Sequence, residues 1–321
     1  MTKDLLEQAT VVGPAPESPE GEYWWISDQE VLSLRPGPNP RRFRLFRLDV
    51  ASGIETLIQP FNRRHARRII GDKWHVSTEG VPGYEVAYFS PTCAPSIDGK
   101  WFLWLSEHHT SWIAASLDGA LTREWSDRYS IPSSCCWLRS GQEWVQLVRP
   151  FRTRDYVLSK AITRPVARRS KAKITNLQVA DGIVLGVTGR DSILLYHPRH
   201  EPSTEYAASE VSLEPGQPVR RHLIHLPQPA ELWNVALSKK GNRLAGFSLL
   251  RQPGFPVEEY VLWIKTLGRK KIHEVGRMHP RLVQAETGPA KYYSPGTLRW
   301  CPSGNEISFV FNEQLYRLPV S

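Results

Sequence analysis

The chain has 321 residues and a formal net charge of +9 at pH 7, with 40% hydrophobic and 23% charged residues. This balance is that of a globular protein and excludes an intrinsically disordered chain. Twelve Trp, 26 Pro and 22 Gly favour strands and turns over helices. We therefore expect an all-β protein that is long enough to bury a large core.

The N-terminal segment shows no basic start followed by a long apolar run, so we expect no secretory signal. No stretch of about eighteen apolar residues occurs, so we expect no membrane span and no membrane partner. The four cysteines, Cys93, Cys135, Cys136 and Cys301, fit neither a disulfide framework nor a zinc motif. The sequence therefore favours a reduced, cytoplasmic location.

A short pattern recurs six times along the chain, with a polar turn between two apolar, β-prone runs. The copies read WISDQEVLSL, SIDGKWFLWL, WLRSGQEWVQLV, QVADGIVLGV, SKKGNRLAGFSLL and CPSGNEISFVFN. Their turns are anchored at Asp28, Gly99, Gly141, Gly182, Gly241 and Gly304. The shortest spacing, about forty residues, is typical of a four-stranded propeller blade. A β-sandwich of unrelated hairpins is the alternative, but sandwiches rarely show such a positional repeat.

The best copies, SIDGKWFLWLS, SKKGNRLAGFS and CPSGNEISFVF, resemble the TolB-like and WD40-like β-propeller repeat. The resemblance covers residues 22–321 and implies one six-bladed β-propeller domain over residues 1–321. The predicted blades are residues 22–58, 86–126, 131–173, 174–227, 229–276 and 292–321, the last completed by 4–12. The motif is structural and implies no activity. A GH…WD signature is absent, which disfavours a true WD40 domain.

The N-terminal segment is predicted to close the ring. The last blade offers three strands where a blade needs four, and Leu5–Val12 has the length and apolar content of one strand. Pairing of this segment with the last blade would cover an open sheet edge. We therefore expect an N-terminal strand to close the propeller.

Two segments lengthen the repeat. Residues 59–85 lie between the first and second predicted blades, and residues 198–220 are predicted to connect the third and fourth strands of the fourth blade. Such loops project from one face of a propeller and often carry partner contacts.

Positive charge is concentrated in two segments. Residues 149–173 contain nine Lys or Arg and one acidic residue, Asp155, and residues 41–68 contain eight Arg. Clustered arginines could bind phosphate, carboxylate or nucleic acid, or they could be solvated strand edges. No RNA-binding or zinc-finger pattern accompanies them. The candidate partner-binding residues are Arg63, Arg64, Arg67, Arg68, Arg152, Arg154, Arg168 and Arg169.

Catalytic sequence motifs are absent: there is no GxSxG, Walker, GxGxxG or HExxH pattern. A metal held in the central channel is the remaining enzymatic alternative. The polar residues near predicted inner strands are His75, Glu85, Asn176, Gln178, Glu231, Asn234 and Tyr292. They do not recur at one repeat position, so we expect them to line a hydrated channel. We expect no catalytic residue, metal or cofactor.

Aromatic and cysteine residues are predicted to belong to the core. Trp101, Trp104, Trp112 and Trp263 lie in predicted strands, where large aromatics pack between sheets. The adjacent Cys135 and Cys136 are expected to be buried small apolar groups. The sequence thus predicts a non-catalytic protein-interaction module or scaffold subunit of a larger complex. The alternatives are a binding protein for an anionic partner, nucleic acid or phosphorylated, and a channel-centred hydrolase or lactonase-like enzyme.

Overall fold

The computed structural model describes most of the chain. The described residues are 4–15, 23–36, 43–58, 93–105, 111–118, 121–126, 131–149, 160–166, 171–177, 179, 182–199, 201–251, 258–283, 291–293 and 295–320. This part of the chain is almost entirely β-structure, as the composition predicts. Its helical content is one short helix, and no helix in it is long and apolar enough to cross a membrane.

The first elements are a helical turn and a strand, α1 (Leu5–Gln8) and β1 (Thr10–Pro14). Three four-stranded antiparallel sheets follow. The first contains β2 (Tyr23–Trp25), β3 (Glu30–Pro36), β4 (Phe43–Asp49) and β5 (Glu55–Leu57). The second contains β6 (Cys93–Pro95), β7 (Trp101–Leu105), β8 (Ser111–Ser116) and β9 (Thr122–Ser126). The third contains β10 (Ile131–Trp137), β11 (Glu143–Arg149), β12 (Lys160–Pro165) and β13 (Lys173–Asn176). In each sheet the strands are neighbours in chain order.

A seven-stranded sheet occupies the next part of the chain. Its strands are β14 (Ile183–Val187), β15 (Ser192–His197), β16 (Ser203–Ser212), β17 (Arg220–Leu237), β18 (Arg243–Arg251), β19 (Glu258–Thr266) and β20 (His273–Met278). The first half of β17 pairs with β16, for example Leu223 with Ala207, and its second half pairs with β18, for example Ala236 with Ala245. One long strand therefore serves two four-stranded units. A two-stranded sheet follows, β21 (Arg281–Val283) with β22 (Lys291–Tyr293).

The last sheet unites the two ends of the described chain. It contains β23 (Leu298–Trp300), β24 (Glu306–Phe311) and β25 (Gln314–Pro319), with β1 as its outer strand. Strand β1 runs antiparallel to β25, and Val11 lies opposite Tyr316. The predicted pairing of the N-terminal segment with the last sheet is thus observed.

The paired N-terminal strand begins later than predicted. Residues Leu5–Gln8 form α1 instead, because the side chain of Asp4 accepts a hydrogen bond from the Leu6 N–H at 2.8 Å and caps the turn. The turn places Leu5, which is fully buried, in a cluster between the seven-stranded sheet and the last sheet. The strand starts only at Thr10.

The described core is divided into clusters that lie between sheets. Trp24 of β2 meets Phe102 of β7 edge to face at 5.4 Å, and Phe247 of β18 meets Phe309 of β24 at 5.7 Å. Equivalent clusters join the second sheet to the third, the third to β14–β16, and the two halves of the seven-stranded sheet. A further cluster joins the first sheet to the last. Sheets that pack face to face in succession form a β-propeller architecture.

Five of the six predicted turns join two paired strands. Four of them lie between the first two strands of a sheet, and the fifth, at Gly241, lies between β17 and β18. Gly99, Gly141, Gly241 and Gly304 have φ angles of +68°, +65°, +74° and +76°, a region that favours glycine. The turn assigned to Gly182 is wrong, because Gly182 immediately precedes β14 and the corresponding turn spans residues 188–191. Glycine is needed at position 182 because the backbone of β15 lies close by. A Cβ atom there would lie 2.9 Å from the Tyr196 carbonyl oxygen.

The fourth predicted blade also needs correction. Its first residues form β13, which pairs with β12 in the third sheet, Ile174 opposite Ile162. The predicted start at residue 174 is therefore too early. Residues 198–220, predicted as a connection, contain the ten-residue strand β16. This strand forms because it has hydrogen-bonding partners on both sides, β15 and β17.

The core assignments that can be compared are confirmed. Trp101, Trp112 and Trp263 are buried, while the side chain of Trp104 lies outside the described part. Cys135 and Cys136 are buried as thiols, and so is Cys301.

Candidate functional site

The predicted arginine site lies outside the described residues. This holds for all eight candidates, Arg63, Arg64, Arg67, Arg68, Arg152, Arg154, Arg168 and Arg169, and for the whole segment 59–85. Their role stays a prediction. Of the segments expected to contact partners, 198–220 is described except for residue 200.

This segment borders a cleft of about 370 Å³ on one face of β15, β16 and β17. The described residues that line the cleft are Val179, His197, Pro198, Arg199, Ala207, Ser209 and Arg221. Antiparallel register brings them together, because His197 lies opposite Ala207 and Ser209 lies opposite Arg221. Side chains two residues apart on a strand share a face, so His197, Ser209 and Arg221 point to the same side of the sheet.

A hydrogen bond joins two of these side chains. His197 Nε2 lies 2.8 Å from Ser209 Oγ, and Ser209 is buried. Burial, followed by the positive charge of Arg221, lowers the pKa of His197 below its usual value. The imidazole is therefore neutral at pH 7, and the hydroxyl and the ring form an ordered polar surface beside the arginines.

The two arginines of the cleft have few described partners. Arg199 Nη1 donates to Ser203 Oγ at 3.2 Å, and within the described part of the chain neither Arg199 nor Arg221 forms an ion pair with a carboxylate. In contrast, Arg220 lies 3.7 Å from Glu210, on the opposite face of β17.

The wider surroundings contain both kinds of charge. On the face that carries the cleft, His225 Nδ1 lies 3.6 Å from Glu205 Oε2. In the β19–β20 region, Arg277 contacts Glu259 at 2.9 Å and Glu274 at 2.7 Å. Some described arginines are thus paired with carboxylates, whereas Arg199 and Arg221, like Arg139 and Arg299, have no described carboxylate partner.

The polar residues predicted for the channel have different positions. Asn176 lies on β13, the outer strand of its sheet, so its assignment near an inner strand is wrong. Asn234, with φ +53°, donates to the Gly296 carbonyl oxygen at 2.8 Å and anchors the segment before β23. Glu231 lies on β17, and Tyr292 lies on β22.

Three of the residues predicted for the channel cannot be placed. His75, Glu85 and Gln178 lie outside the described part of the chain. Among the residues that the structure describes, no three His, Cys, Asp or Glu side chains are close enough to hold a metal ion.

Sequence reasoning missed the cleft for a specific reason. Its residues come from three strands, and the sequence predicts a connection over residues 198–220. If residues 198–220 are read as a loop, no strand register is defined, and the sequence cannot indicate that Ser209 lies opposite Arg221. The only signal present in the sequence is the polar character of His197 and Ser209 next to the apolar, buried Tyr196 and Ala208.

Solved structures similar to this chain include β-propeller domains. One is the putative TolB from Agrobacterium tumefaciens, with a TM-score of 0.52 and 12% identity over 97% of this chain and 91% of that chain. Another is the β-propeller domain of Cps50 (Swd1) from Myceliophteria thermophila, with a TM-score of 0.51 and 12% identity over 98% of this chain and 100% of that chain. A prolyl endopeptidase has a TM-score of 0.53 and 11% identity over 98% of this chain.

At these identities the likeness establishes the β-propeller fold alone. The chain spans 49% of the prolyl endopeptidase and 64% of a TolB from Acinetobacter baumannii, less than two thirds of either. No protein-family model matches the sequence, and no curated protein matches it either.

Proposed function

We propose that the chain is a single six-bladed β-propeller domain that acts in the cytoplasm as a non-catalytic protein-interaction module, a scaffold subunit of a larger complex. The seven-stranded sheet counts as two blades that share β17, and the pairing of β1 with β25 closes the ring. The apolar clusters that join each sheet to the next, and the last sheet to the first, support this count. The thiols of Cys135, Cys136 and Cys301 agree with a reducing compartment.

The observation that carries the functional proposal is the rigid attachment of the β16–β17 hairpin. These strands, with 10 and 18 residues, are the longest in the described chain. Val211 on one face of β16 packs in the cluster with the third sheet, and Tyr206 on the other face packs towards β18 and β19. The turn at residues 214–218 is exposed. A surface held in place in advance loses little conformational entropy on binding, which suits partner recognition.

A single arginine also fixes the surroundings of the β16–β17 hairpin. The Arg139 guanidinium, in the β10–β11 turn, donates to the carbonyl oxygens of Gly189 at 3.2 Å, Thr188 at 3.3 Å, and Lys240. These acceptors belong to the β14–β15 and β17–β18 turns. One side chain thus joins three turns from different parts of the fold. These hydrogen bonds restrain the strands on both sides of the β16–β17 hairpin.

Site-specific photo-crosslinking in cells tests the proposal. A benzoylphenylalanine is placed at Glu201 or at Gln217, both exposed and next to the hairpin strands, and at exposed Lys270 in the β19–β20 turn as the control. We expect discrete crosslinked partner chains from positions 201 or 217 and none of them from position 270. The same products from all three positions, or no product from any, would contradict an interaction surface on the hairpin.

Binding of an anionic partner is the second candidate. It is favoured by the two arginines that line the cleft without a described carboxylate partner.

A further inference from the structure

We propose that the cleft formed by Arg199, Arg221, His197 and Ser209 is a subsite for one oxyanion group, a carboxylate or a phosphate, carried by a protein partner. This inference rests on the proposed interaction function and assigns a place and a chemistry to part of the contact. It concerns residues other than the eight arginines that the sequence singles out.

The charge of the cleft is the first argument. Two guanidinium groups line one small cleft, and none of its described lining residues is acidic. Each guanidinium has five N–H donors in a planar fork that matches the oxygens of a carboxylate or phosphate. Arg199 uses one donor on Ser203, and Arg221 forms no described ion pair, so donors remain for a ligand.

The position of the charges is the second argument. Arg221 is held on a strand of the sheet, directly opposite the buried Ser209, and Arg199 follows β15 two residues after His197. The floor beneath them is polar at the His197–Ser209 hydrogen bond and apolar at Val179 and Ala207. A site built on strands is placed more accurately than one on a free loop. The arrangement is therefore suited to a defined ligand group.

The size of the cleft indicates what carries the anion. A volume of about 370 Å³ is at the small end of ligand pockets, and both arginines are exposed. It fits one side chain of a partner. Nucleic acid would require a run of phosphates along a longer basic surface. A Glu, Asp or phosphorylated side chain of a protein fits the observations better.

Anion binding should change the ionisation of His197. Among the described residues, the polar and charged groups that line the cleft with this ring are Arg221 on β17, Arg199 after β15 and Ser209 on β16. The Glu205–His225 pair lies further along the same face. The charge of Arg221 contributes to the low pKa of His197. A bound anion offsets that charge, so the pKa of His197 should rise, and by linkage the anion should bind more tightly as the pH falls through this pKa.

The test is a titration of the ¹⁵N-labelled full chain, followed at the His197 imidazole signals. Acetate and inorganic phosphate are added separately at constant ionic strength, with sodium chloride as the ionic control. We expect a saturable shift and a raised His197 pKa with at least one of the two probes. A response to acetate alone identifies a carboxylate, and a response to phosphate alone identifies a phosphorylated side chain.

Matched variants show whether the arginines are responsible. The double variant R199Q/R221Q should bind the responding anion at least about tenfold more weakly, as expected when charge-assisted hydrogen bonds are lost. R220Q, which removes the same charge from the opposite face of β17, should bind like the parent. Both variants alter exposed side chains and should keep the parent melting temperature.

Three results would overturn the proposal. They are no saturable shift with either anion, equal binding by R199Q/R221Q and the parent, and tighter binding of a single-stranded oligothymidylate than of either small anion at this site. Each leaves the photo-crosslinking result untouched, because a module can contact partners through another surface. Failure of the crosslinking with successful anion binding would instead reject the interaction function and keep the anion site.

Discussion

A buried serine holds the junction between the first and last sheets. Trp25 Nε1 donates to Ser308 Oγ at 2.6 Å, and the Tyr23 hydroxyl lies 2.8 Å from the same oxygen. Ser308 has no exposed surface. The Tyr23 hydroxyl also donates to the Thr297 carbonyl oxygen at 3.2 Å, whereas Ser308 Oγ is the described acceptor of the Trp25 N–H. Buried polar atoms such as these need hydrogen-bond partners.

Replacement of this serine should destabilise the protein clearly. S308A leaves the Trp25 N–H without its acceptor and should lower the free energy of unfolding by about 1–3 kcal/mol. S248A is the matched control, because Ser248 is also buried but forms only a 3.4 Å hydrogen bond to the Val261 carbonyl oxygen. Urea unfolding of both variants measures the difference. Equal losses would show that Ser308 has no special role at the junction.

The cysteine thiols should be chemically inert in the folded protein. Burial raises the pKa of Cys136 and of Cys301 to about 12. At pH 8 only about one thiol in ten thousand is then ionised, and the thiolate is the reactive form. We expect iodoacetamide to leave both residues unlabelled in the native chain and to label them in urea, as read by peptide mass spectrometry. Rapid native labelling of either thiol would contradict their burial between sheets.

At the scale of elements, the sequence predicts sheets better than their boundaries. The polar turns at Gly99, Gly141, Gly241 and Gly304 were identifiable because each needs a positive φ that glycine provides. Gly182 has the same local sequence pattern but is required by the close approach of the Tyr196 carbonyl oxygen. Only tertiary contact distinguishes the two reasons for a glycine.

Strand β16 and the cleft could not be predicted from the sequence, because they too depend on tertiary contacts. Its sequence, STEYAASEVS, has few β-branched residues and two glutamates, so local propensity does not favour a strand. Hydrogen bonds from β15 and β17 determine its conformation. The candidate site depends on that register, so the sequence could supply the arginines but not their juxtaposition with His197 and Ser209.

The N-terminal turn α1 should stabilise the molecule through one side chain. Leu5 is fully buried in the cluster that joins the β18–β20 region to the last sheet. L5A should lower the free energy of unfolding by about 2–5 kcal/mol, as for a large-to-small change in a core. L121A is the control, since Leu121 is 46% exposed and should cost less than about 0.5 kcal/mol. Thermal and urea unfolding compare the two, and equal effects would mean that α1 is not docked.

At the scale of the whole molecule, the same kind of cation–π contact occurs at two junctions between sheets. Arg243 of β18 lies over the ring of Trp300 in β23 at 4.9 Å, and Arg317 of β25 lies over the ring of Trp25 in β2 at 4.5 Å. In each case an arginine of one sheet covers a tryptophan on the first strand of the next. The contact from the last sheet to the first therefore resembles the contact from the seven-stranded sheet to the last, which is what the proposed closed ring requires.

Disulfide trapping of the β1–β25 pair tests this closure most directly. Val11 and Tyr316 lie opposite each other, and cross-strand pairs have a spacing that a disulfide can bridge. The double variant V11C/Y316C should form an intramolecular disulfide under mild oxidation, joining the N-terminal and C-terminal peptides and raising the melting temperature by several degrees, because the bond encloses most of the chain. V11C/K270C, with one cysteine moved to the β19–β20 turn, should form none. An absence of the 11–316 bond, or its formation only between two molecules, would contradict a propeller closed by its N-terminal strand.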